Sequence, residues 1–289
     1  MERELWEVLC HLAARFYNRS MPSRYGDDVI CAVYWWAVVH DRPVSWACQA
    51  SHWPSELNQR LPSQPTMSRR LRSGTMERLM EEVEQALLML MVVAGPRVLA
   101  IDGKALPVGG PSKDADATWG RGAGGLSKGY KLHAIWGEGP LPTAWALAPL
   151  NVSERRMAAK LISDLPGSGY LLGDSQYDAN YLYDAAAKSD YQLIAPQQRP
   201  GKSLGHRRHS PYRRQGLELL GTPFGKELYR QRLRIEHRFA QLTSFVGGLS
   251  PLPFWVRRFN RVKLWVHSKL LINAVHQLKL HPPANAAIT

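Results

Sequence analysis

Cysteine is scarce in this chain of 289 residues: only Cys10, Cys31 and Cys48 occur, and none belongs to a CxxC pair. Cysteines so few and odd in number argue against a disulfide scaffold and a zinc ribbon, and they suit a reducing compartment. Long apolar runs are also lacking, since the longest, 29–39 and 86–94, are too short to cross a bilayer. The opening residues are not those of a signal peptide. We therefore expect a cytoplasmic protein without a membrane partner.

Acidic residues are nearly missing from the last third of the chain. Residues 199–289 contain 17 Lys/Arg and 3 Asp/Glu, a net of +14, whereas residues 1–198 hold 20 basic and 21 acidic residues, a net of −1. A one-sided basic surface attracts polyanions through phosphate contacts and counterion release. A solvated basic face or nonspecific RNA binding would give a similar composition. The size of the asymmetry favours a nucleic-acid partner.

The first 95 residues have helical periodicity, with apolar residues three or four positions apart. Helices are predicted over residues 4–17, 27–40 and 76–93. We therefore expect an all-helical N-terminal domain over residues 1–95.

Residues 45–72 contain two short helical patterns that resemble a helix-turn-helix pair. The second helix would begin at Ser63 or Thr66 and would present Arg69 and Arg70 outward, as a helix in a major groove does. Short helix pairs with arginines also occur in ordinary helical domains, so both interpretations stay open.

The pattern changes at Arg97, where short apolar runs begin to alternate with helical segments. Strands are predicted over residues 98–101, 130–136, 143–147, 170–174 and 191–195, and helices over 153–165, 179–188, 226–245 and 262–278. This order predicts an α/β domain over residues 96–289 with a mixed five-stranded sheet, flanking helices and an antiparallel three-strand start. Within the Gly-rich stretch 109–125, residues 120–125 lack the GK[ST] of a phosphate loop and are expected to form a mobile hairpin between the first strands.

Two aspartates close predicted strands, Asp102 the first and Asp174 the fourth. Functional residues of an open α/β sheet gather at the carboxyl ends of strands, so neighbouring strands would bring both carboxylates to one edge. A third acid, Glu236, lies in the predicted helix 226–245. Helical spacing places it on one stripe with Tyr229, Arg232 and Thr243.

Each of these acids also has a purely structural interpretation. Asp102 with Gly103 forms a turn dipeptide, Asp174 is suited to cap the next helix, and Glu236 is suited to pair with Arg232. Their joint occurrence favours a shared site. Three further acids are weaker candidates: Asp178, expected to start a helix, and Asp114 and Asp116, which no strand positions.

The chemistry of phosphodiesters explains why three carboxylates would meet in a basic chain. Mg²⁺ takes oxygen ligands and commonly uses one or two protein carboxylates together with phosphate oxygens. Two such ions, about 3.5–4 Å apart, stabilise the attacking and leaving oxygens of the reaction. The carboxylate set therefore predicts a metal-dependent site that acts on nucleic acid.

Four motifs together resemble one protein family. They are Ala-Ile-Asp-Gly-Lys at 100–104, Gly-Tyr-Lys-Leu-His at 129–133, Gly-Asp-Ser-Gln-Tyr-Asp at 173–178, and the Tyr-x2-Arg-x3-Glu spacing that starts at Tyr229. Over residues 97–280 the chain resembles bacterial insertion-sequence transposases of the DDE type, from the insertion-sequence four and five groups. That family has a ribonuclease H-like catalytic core.

The resemblance implies that Asp102, Asp174 and Glu236 form a catalytic triad that binds two Mg²⁺ ions, for which Mn²⁺ would substitute. It implies a transposase that hydrolyses the DNA at transposon ends and joins the 3′-hydroxyl to target DNA. The N-terminal domain would help recognise those ends, within a homodimeric synaptic complex at the nucleoid. The residues expected to contact DNA are Tyr229, Arg232, Arg238, Lys104, Lys128, Lys131, Arg69 and Arg70.

Two positions depart from the family pattern. The signature lysine falls on Thr243, and Gln176 stands where glycine is usual. One phosphate contact is therefore missing or is supplied by another residue such as Arg238. Two other functions stay open: a ribonuclease H-like nuclease without strand transfer, and a non-catalytic relic that still binds transposon ends.

Overall fold

The computed structural model describes residues 1–17, 24–57, 60–89, 97–122, 124–201, 208–249 and 251–281. The α-helices are α1 (Glu2–Phe16), α2 (Asp27–Val39), α3 (Val44–Ala47), α4 (Gln64–Arg70), α5 (Gly74–Met89), α6 (Glu154–Ser163), α7 (Asn180–Lys188), α8 (Pro211–Gly221), α9 (Pro223–Arg230), α10 (Leu233–Thr243) and α11 (Phe259–Leu280). The strands are β1 (Arg97–Pro107), β2 (Thr118–Gly122), β3 (Gly125–Trp136), β4 (Ala144–Pro149), β5 (Gly169–Leu172) and β6 (Tyr191–Ile194). None of the helices in the described segments combines the length and apolar character that a bilayer span requires.

The chain divides into two units, residues 1–92 with 241–289, and residues 93–240. The first unit is helical, and three tryptophans form part of its core. Trp36 stacks on Trp53 with ring centroids 4.8 Å apart, and Trp6 meets both rings edge-on. Aromatic contacts of this geometry add to the stabilisation from buried area.

The C-terminal helix belongs to the helical unit, whereas the sequence suggested a division into residues 1–95 and 96–289. The physical reason is that α11 is buried along most of its length and packs against α1, α2 and α5. Lys269, fully buried on α11, donates hydrogen bonds to the carbonyls of Val38 (2.8 Å) and Gly247 (2.9 Å) and to the Asp41 carboxylate (2.7 Å). A buried ammonium needs such partners, so this contact fixes α11 on the helical unit.

The structure of residues 45–72 differs from the helix-turn-helix pair that the sequence suggested. The helix α3 has a single turn, a 3₁₀ turn follows at Ala50–His52, and α4 begins only after Ser63. The connection is much longer than the three or four residues of a helix-turn-helix motif. The expected start of the second helix at Ser63 agrees with the structure, since Ser63 is the residue that precedes α4.

Among its described residues, the second unit contains a six-stranded mixed sheet with strand order β2-β3-β1-β5-β6, in which β4 also pairs with β3. The pairs of β3 with β1, β2 and β4 are antiparallel, and those of β5 with β1 and β6 are parallel. The antiparallel start is confirmed. The additional strand β2 comes from the Gly-rich stretch, which pairs Thr118–Gly122 with β3 as a hairpin.

Helices flank this sheet. One face packs on α6 and α7 through a cluster that includes Leu99, Leu161 and Leu182. Against the other face, the Phe239 ring of α10 meets the Trp136 ring of β3 at 5.9 Å. A mixed sheet with flanking helices is compatible with the expected ribonuclease H-like α/β core.

The predicted helix 226–245 is interrupted. The structure ends α9 at Arg230 and starts α10 at Leu233, and the amides of Gln231 and Arg232 bond to carbonyls three residues back. Bonds of this type tighten the chain into 3₁₀ geometry. The single stripe expected for these residues is therefore interrupted, with Tyr229 on α9, Arg232 between the helices, and Glu236 and Thr243 on α10.

Candidate active site

Asp102 and Asp174 lie at the same level of the sheet. The parallel pairing of β1 with β5 ends at Ala100 and Leu172, and each aspartate follows two residues later. Because side chains alternate along a strand, the equal offset gives both aspartates the facing direction of that last pair. The strand β1 does not end at Asp102, as the sequence predicted, but continues to Pro107 because it pairs with β3. The two aspartates therefore stand where β1 and β5 separate.

Both carboxylates accept a local hydrogen bond. The amide of Gly103 donates to Asp102 (2.7 Å), and the amide of Gln176 donates to Asp174 (2.8 Å), where it caps a 3₁₀ turn. The cap role considered for Asp174 is thus present, whereas the turn considered for Asp102 is not, because Asp102 lies within β1. Each bond engages one oxygen of its carboxylate and leaves the other oxygen for a further ligand.

The electrostatic surroundings of Asp102 are those of a shared acidic site. Burial raises the pKa of Asp102 to about 6, and the charges of Asp174 and Glu154 raise it as well. The Gly103 amide and the Arg232 charge act in the opposite direction. A carboxylate that is buried beside another carboxylate favours a bound cation, which would stabilise both charges. Oxygen ligands at this edge therefore fit Mg²⁺ or Mn²⁺.

The third expected ligand, Glu236, forms an ion pair with Arg232. Arg232 donates to its carboxylate at 2.9 Å, and the Glu236 side chain is 52% exposed. Among the described residues, no three His, Cys, Asp or Glu side chains are grouped closely enough to hold a metal ion. Asp102 and Asp174 thus lie at the same level of the sheet, but Glu236 does not join them in a metal-binding group among the described residues.

Two of the residues expected to contact DNA, Tyr229 and Arg238, form hydrogen bonds within the protein. The Tyr229 hydroxyl donates to the Gly173 carbonyl (3.2 Å), next to Asp174. Arg238 donates to the carbonyl of Glu138. Tyr229 thereby supports the backbone that carries a candidate ligand, which sequence reasoning did not indicate.

The three lysines expected near DNA differ in their surroundings. Lys104 is half-buried above the Phe239 ring (6.0 Å), and burial lowers its pKa. Lys128 donates to the Ser112 carbonyl (2.8 Å). Lys131 is only 7% exposed and forms an ion pair with Glu154. Lys131 thus lies in the protein interior rather than on an open surface.

In the N-terminal helical unit, Arg69 is exposed, whereas its neighbour Arg70 is tied to the protein. Arg70 donates to the Asp27 carboxylate (2.6 Å) and to the Tyr25 carbonyl (2.9 Å). Of the two arginines expected to contact DNA, only Arg69 projects from α4 into solvent.

The weaker acidic candidates have structural partners. Asp178 is buried and accepts two hydrogen bonds from Arg213 and one from the Gln198 amide, so it does more than start a helix. Asp114 is buried and accepts a hydrogen bond from the Tyr130 hydroxyl (2.9 Å).

Sequence reasoning missed Glu154 at this site. It is the first residue of α6 and is ion-paired with Lys131. The signal available in the sequence was an acid directly after the capping residue Ser153, which also suits an ordinary helix start. Only the fold brings it near Asp102.

The family of the chain follows from a sequence comparison. Residues 94–272 match the family model described as a transposase DDE domain. This region contains Asp102, Asp174 and Glu236, and it spans more than half of the chain. No curated protein matches the sequence. The chain therefore belongs to the DDE transposase domain family.

Proposed function

We propose that this protein cuts DNA at the ends of a mobile element by metal-dependent hydrolysis and joins the freed 3′-hydroxyl to target DNA. Membership of the family supports transposase activity in general and makes DNA the partner. The observation that carries the proposal is the alignment of Asp102 and Asp174 at the point where β1 and β5 separate.

In this proposal Asp102 and Asp174 hold the divalent cation, with Glu236 as the third carboxylate. Bound ions would activate the attacking hydroxyl or water and stabilise the leaving oxygen. Family members use divalent metal ions in general, and two Mg²⁺ ions, or Mn²⁺ in their place, suit a carboxylate set of this kind. Glu236 is available for this role only when it leaves Arg232, so we propose that DNA phosphate competes for the Arg232 guanidinium. A guanidinium binds phosphate as readily as carboxylate.

The basic residues have distinct roles in this proposal. Tyr229 supports the Gly173–Asp174 backbone, Lys104 and Lys128 flank the sheet edge, and Arg238 contributes positive charge in place of the lysine replaced by Thr243. Exposed Arg69 contacts DNA from the helical unit. A homodimer would bring two transposon ends together, and the protein would act at the nucleoid.

A transposition assay in cells tests the proposal, with the gene supplied together with its native flanking DNA. We expect Asp102→Asn, Asp174→Asn and Glu236→Gln each to reduce movement to background while the protein stays folded. Glu227→Gln is the matched control, because Glu227 is a 69% exposed carboxylate on α9. Movement that survives any one of the three changes would remove that residue from the site.

Cleavage of purified DNA separates the rival functions. A nuclease without strand transfer would cut DNA with Mn²⁺ but would not join a supplied 3′-hydroxyl end to a target. A DNA-binding relic would bind its flanking DNA, show no metal-dependent activity, and respond to none of the three changes.

A further inference from the structure

The helical unit contains a cavity with aromatic walls. Its volume is about 220 Å³, and the described residues that line it belong to α2, α3, α4 and α11 or lie next to these helices. The aromatic rings in the lining are those of Tyr34, Trp255 and Trp265. Tyr34 and Trp265 are buried on α2 and α11, and these two helices pack against each other. The core of the helical unit therefore fixes two of the aromatic walls.

The charged side chains described in the lining are all arginines. Among them are Arg42 and Arg261, which are exposed, and no described lining residue is an aspartate or a glutamate. The side-chain amides of Gln64 and Asn260 also line the cavity. Cavities that stay empty in proteins are apolar, whereas ligand sites combine aromatic walls with a few polar groups. This cavity has the composition of a ligand site.

The combination of side chains suits a ligand that has a planar ring and a negative charge. Aromatic side chains stack on nucleobases, and guanidinium groups bind phosphate oxygens in a forked geometry. Side-chain amides both donate and accept hydrogen bonds, as the edges of bases do. The volume of about 220 Å³ is below the range of about 300–1,000 Å³ that is usual for drug-sized ligands. The enclosed part of the ligand is therefore limited to a single ring system.

We infer that this cavity binds one nucleotide, with the base against the aromatic walls and the phosphate at Arg42 and Arg261. The nucleotide is an unpaired residue of a DNA strand or a free nucleotide, since both present the same base and phosphate. A paired base is held in the stack of the duplex and must leave it to enter a pocket. The inference rests on the proposed function for DNA as the partner, but it does not involve Asp102 or Asp174.

Fluorescence anisotropy of the full chain in EDTA measures this binding. The probes are a labelled single-stranded oligonucleotide and a duplex of the same sequence. We expect Arg261→Gln and Trp255→Leu each to weaken single-strand binding by about 10-fold, because one removes a phosphate contact and the other a stacking contact. The paired bases of the duplex cannot enter the cavity, so its binding should change much less. An equal loss for the duplex would overturn the inference, because it would indicate a surface contact with phosphates.

Arg15→Gln is the matched control for Arg261→Gln. Arg15 is an exposed arginine on α1 in the same unit, and it does not line the cavity. Its replacement removes the same charge and should leave single-strand binding close to that of the wild type. A loss as large as that in Arg261→Gln would contradict a specific site.

A variant that fills the cavity and keeps every arginine separates occupancy from surface charge. Ser68 is half-buried on α4 and lines the cavity, so Ser68→Phe should exclude the base and weaken single-strand binding by about 10-fold. Wild-type binding in folded Ser68→Phe would overturn the inference. If thermal unfolding shows that this variant does not fold, Ser45→Phe makes the same test from α3.

Competition with thymidine monophosphate distinguishes the two sources of the nucleotide. Displacement of the strand would show that a free nucleotide is sufficient, whereas binding of the strand without displacement would show that the ligand is part of DNA. A wild-type protein that binds neither probe would overturn the inference.

The metal-free assay also separates this inference from the proposed function. Asp102→Asn should bind the single strand as the wild type does, because Asp102 belongs to the other unit. Wild-type binding in Arg261→Gln and Ser68→Phe would overturn the inference alone. Failure of the transposition assay, with the expected losses of single-strand binding in these two variants, would contradict the proposed function alone.

Discussion

Asp178 and Arg213 form a two-bonded ion pair, with Nε and one terminal nitrogen 2.6 and 2.7 Å from the two carboxylate oxygens. The pair is nearly buried and joins the segment after Asp174 to α8. Burial alone would raise the pKa of Asp178, but the hydrogen bonds from Arg213 and the Gln198 amide and the Arg213 charge outweigh it and hold the pKa below its usual range. This contact therefore supports the segment that carries a candidate ligand.

Breaking this pair should destabilise the sheet unit. We expect Arg213→Met to lower the free energy of unfolding by about 3–5 kcal/mol, because Asp178 would remain buried without its counter-charge. The measurement is urea unfolding at pH 7. Arg214→Met is the control, since Arg214 is exposed beside Arg213, and its effect should be within about 0.5 kcal/mol.

The same pair has a defined pH dependence. Because the folded protein holds the Asp178 pKa below its value in the unfolded chain, the stabilisation is present at neutral pH and is lost as the pH falls through that lowered pKa. The difference between wild type and Arg213→Met should therefore shrink in acid. A difference that stays constant from pH 7 to pH 3 would show that the contribution is not electrostatic.

The effect of Asp102 on stability should depend on pH in the opposite direction to that of Asp178. Burial and neighbouring acids raise its pKa from 3.8 to about 6, so ionising it costs the folded state free energy as the pH rises through this range. Asp102→Asn removes the charge, and we expect it to stabilise the cation-free protein by about 1–3 kcal/mol above pH 6. Well below pH 3.8 the gain should vanish, because the aspartic acid is then protonated in both the folded and the unfolded state.

Thermal unfolding in EDTA at pH 7.5, 5.5 and 3 checks the effect of Asp102→Asn. Asp164→Asn is a suitable control, because Asp164 is an exposed residue at the end of α6. Destabilisation by Asp102→Asn at pH 7.5 would contradict the electrostatic description of the site.

Much of the sheet could be predicted from the sequence, because apolar runs and the strand-end aspartates mark β1, β3, β5 and β6. The continuation of β1 past Asp102 could not, since Asp102-Gly103 has the composition of a turn. Pairing with β3 keeps this segment extended, from Gly103 opposite His133 to Pro107 opposite Gly129. Tertiary pairing here overrides a local preference.

The site was predictable only in part, for a related reason. Spacing along one helix suggested that Glu236 shares a stripe with Tyr229, but residues 226–245 contain no Gly or Pro to indicate the interruption at Gln231–Arg232. The effect of the Glu154 charge on Asp102 depends on the approach of α6 to the Asp174 turn, which no local pattern encodes. Single-sequence patterns identify residue types at strand ends, whereas the neighbours of those residues come from the fold.

Gly129, the first residue of the Gly-Tyr-Lys-Leu-His motif, is expected to be essential for sheet pairing. A Cβ at Gly129 would lie 2.3 Å from the carbonyl oxygen of Leu106, a backbone atom of the adjacent strand, so the strands would have to separate. We expect Gly129→Ala to destabilise the protein by about 1–3 kcal/mol. In the same hairpin, a Cβ at Gly124 meets no described atom within 4 Å, and Gly124→Ala should change stability by less than about 0.5 kcal/mol in urea unfolding. If Gly129→Ala and Gly124→Ala lowered stability equally, that result would argue against the described pairing of β1 with β3.

Arg69 and Arg70 are adjacent on α4, yet they should respond differently to replacement. Arg69 is exposed, so we expect Arg69→Ala to weaken DNA binding, reduce the slope of log affinity against log salt by about one, and leave the unfolding temperature unchanged. Arg70 is bonded to Asp27 and to the Tyr25 carbonyl, so Arg70→Ala should cost about 1–3 kcal/mol of stability.

Fluorescence anisotropy with the native flanking DNA at several salt concentrations, together with thermal unfolding, separates the two effects. Arg72→Ala is the comparison for Arg69, because Arg72 is exposed just beyond the end of α4. An unchanged salt slope in Arg69→Ala, with a reduced slope in Arg72→Ala, would move the DNA contact to the C-terminal end of α4. An unchanged slope in both Arg69→Ala and Arg72→Ala would exclude these arginines from the DNA interface. The reason is that each contact between a basic side chain and a phosphate contributes to the salt dependence of binding.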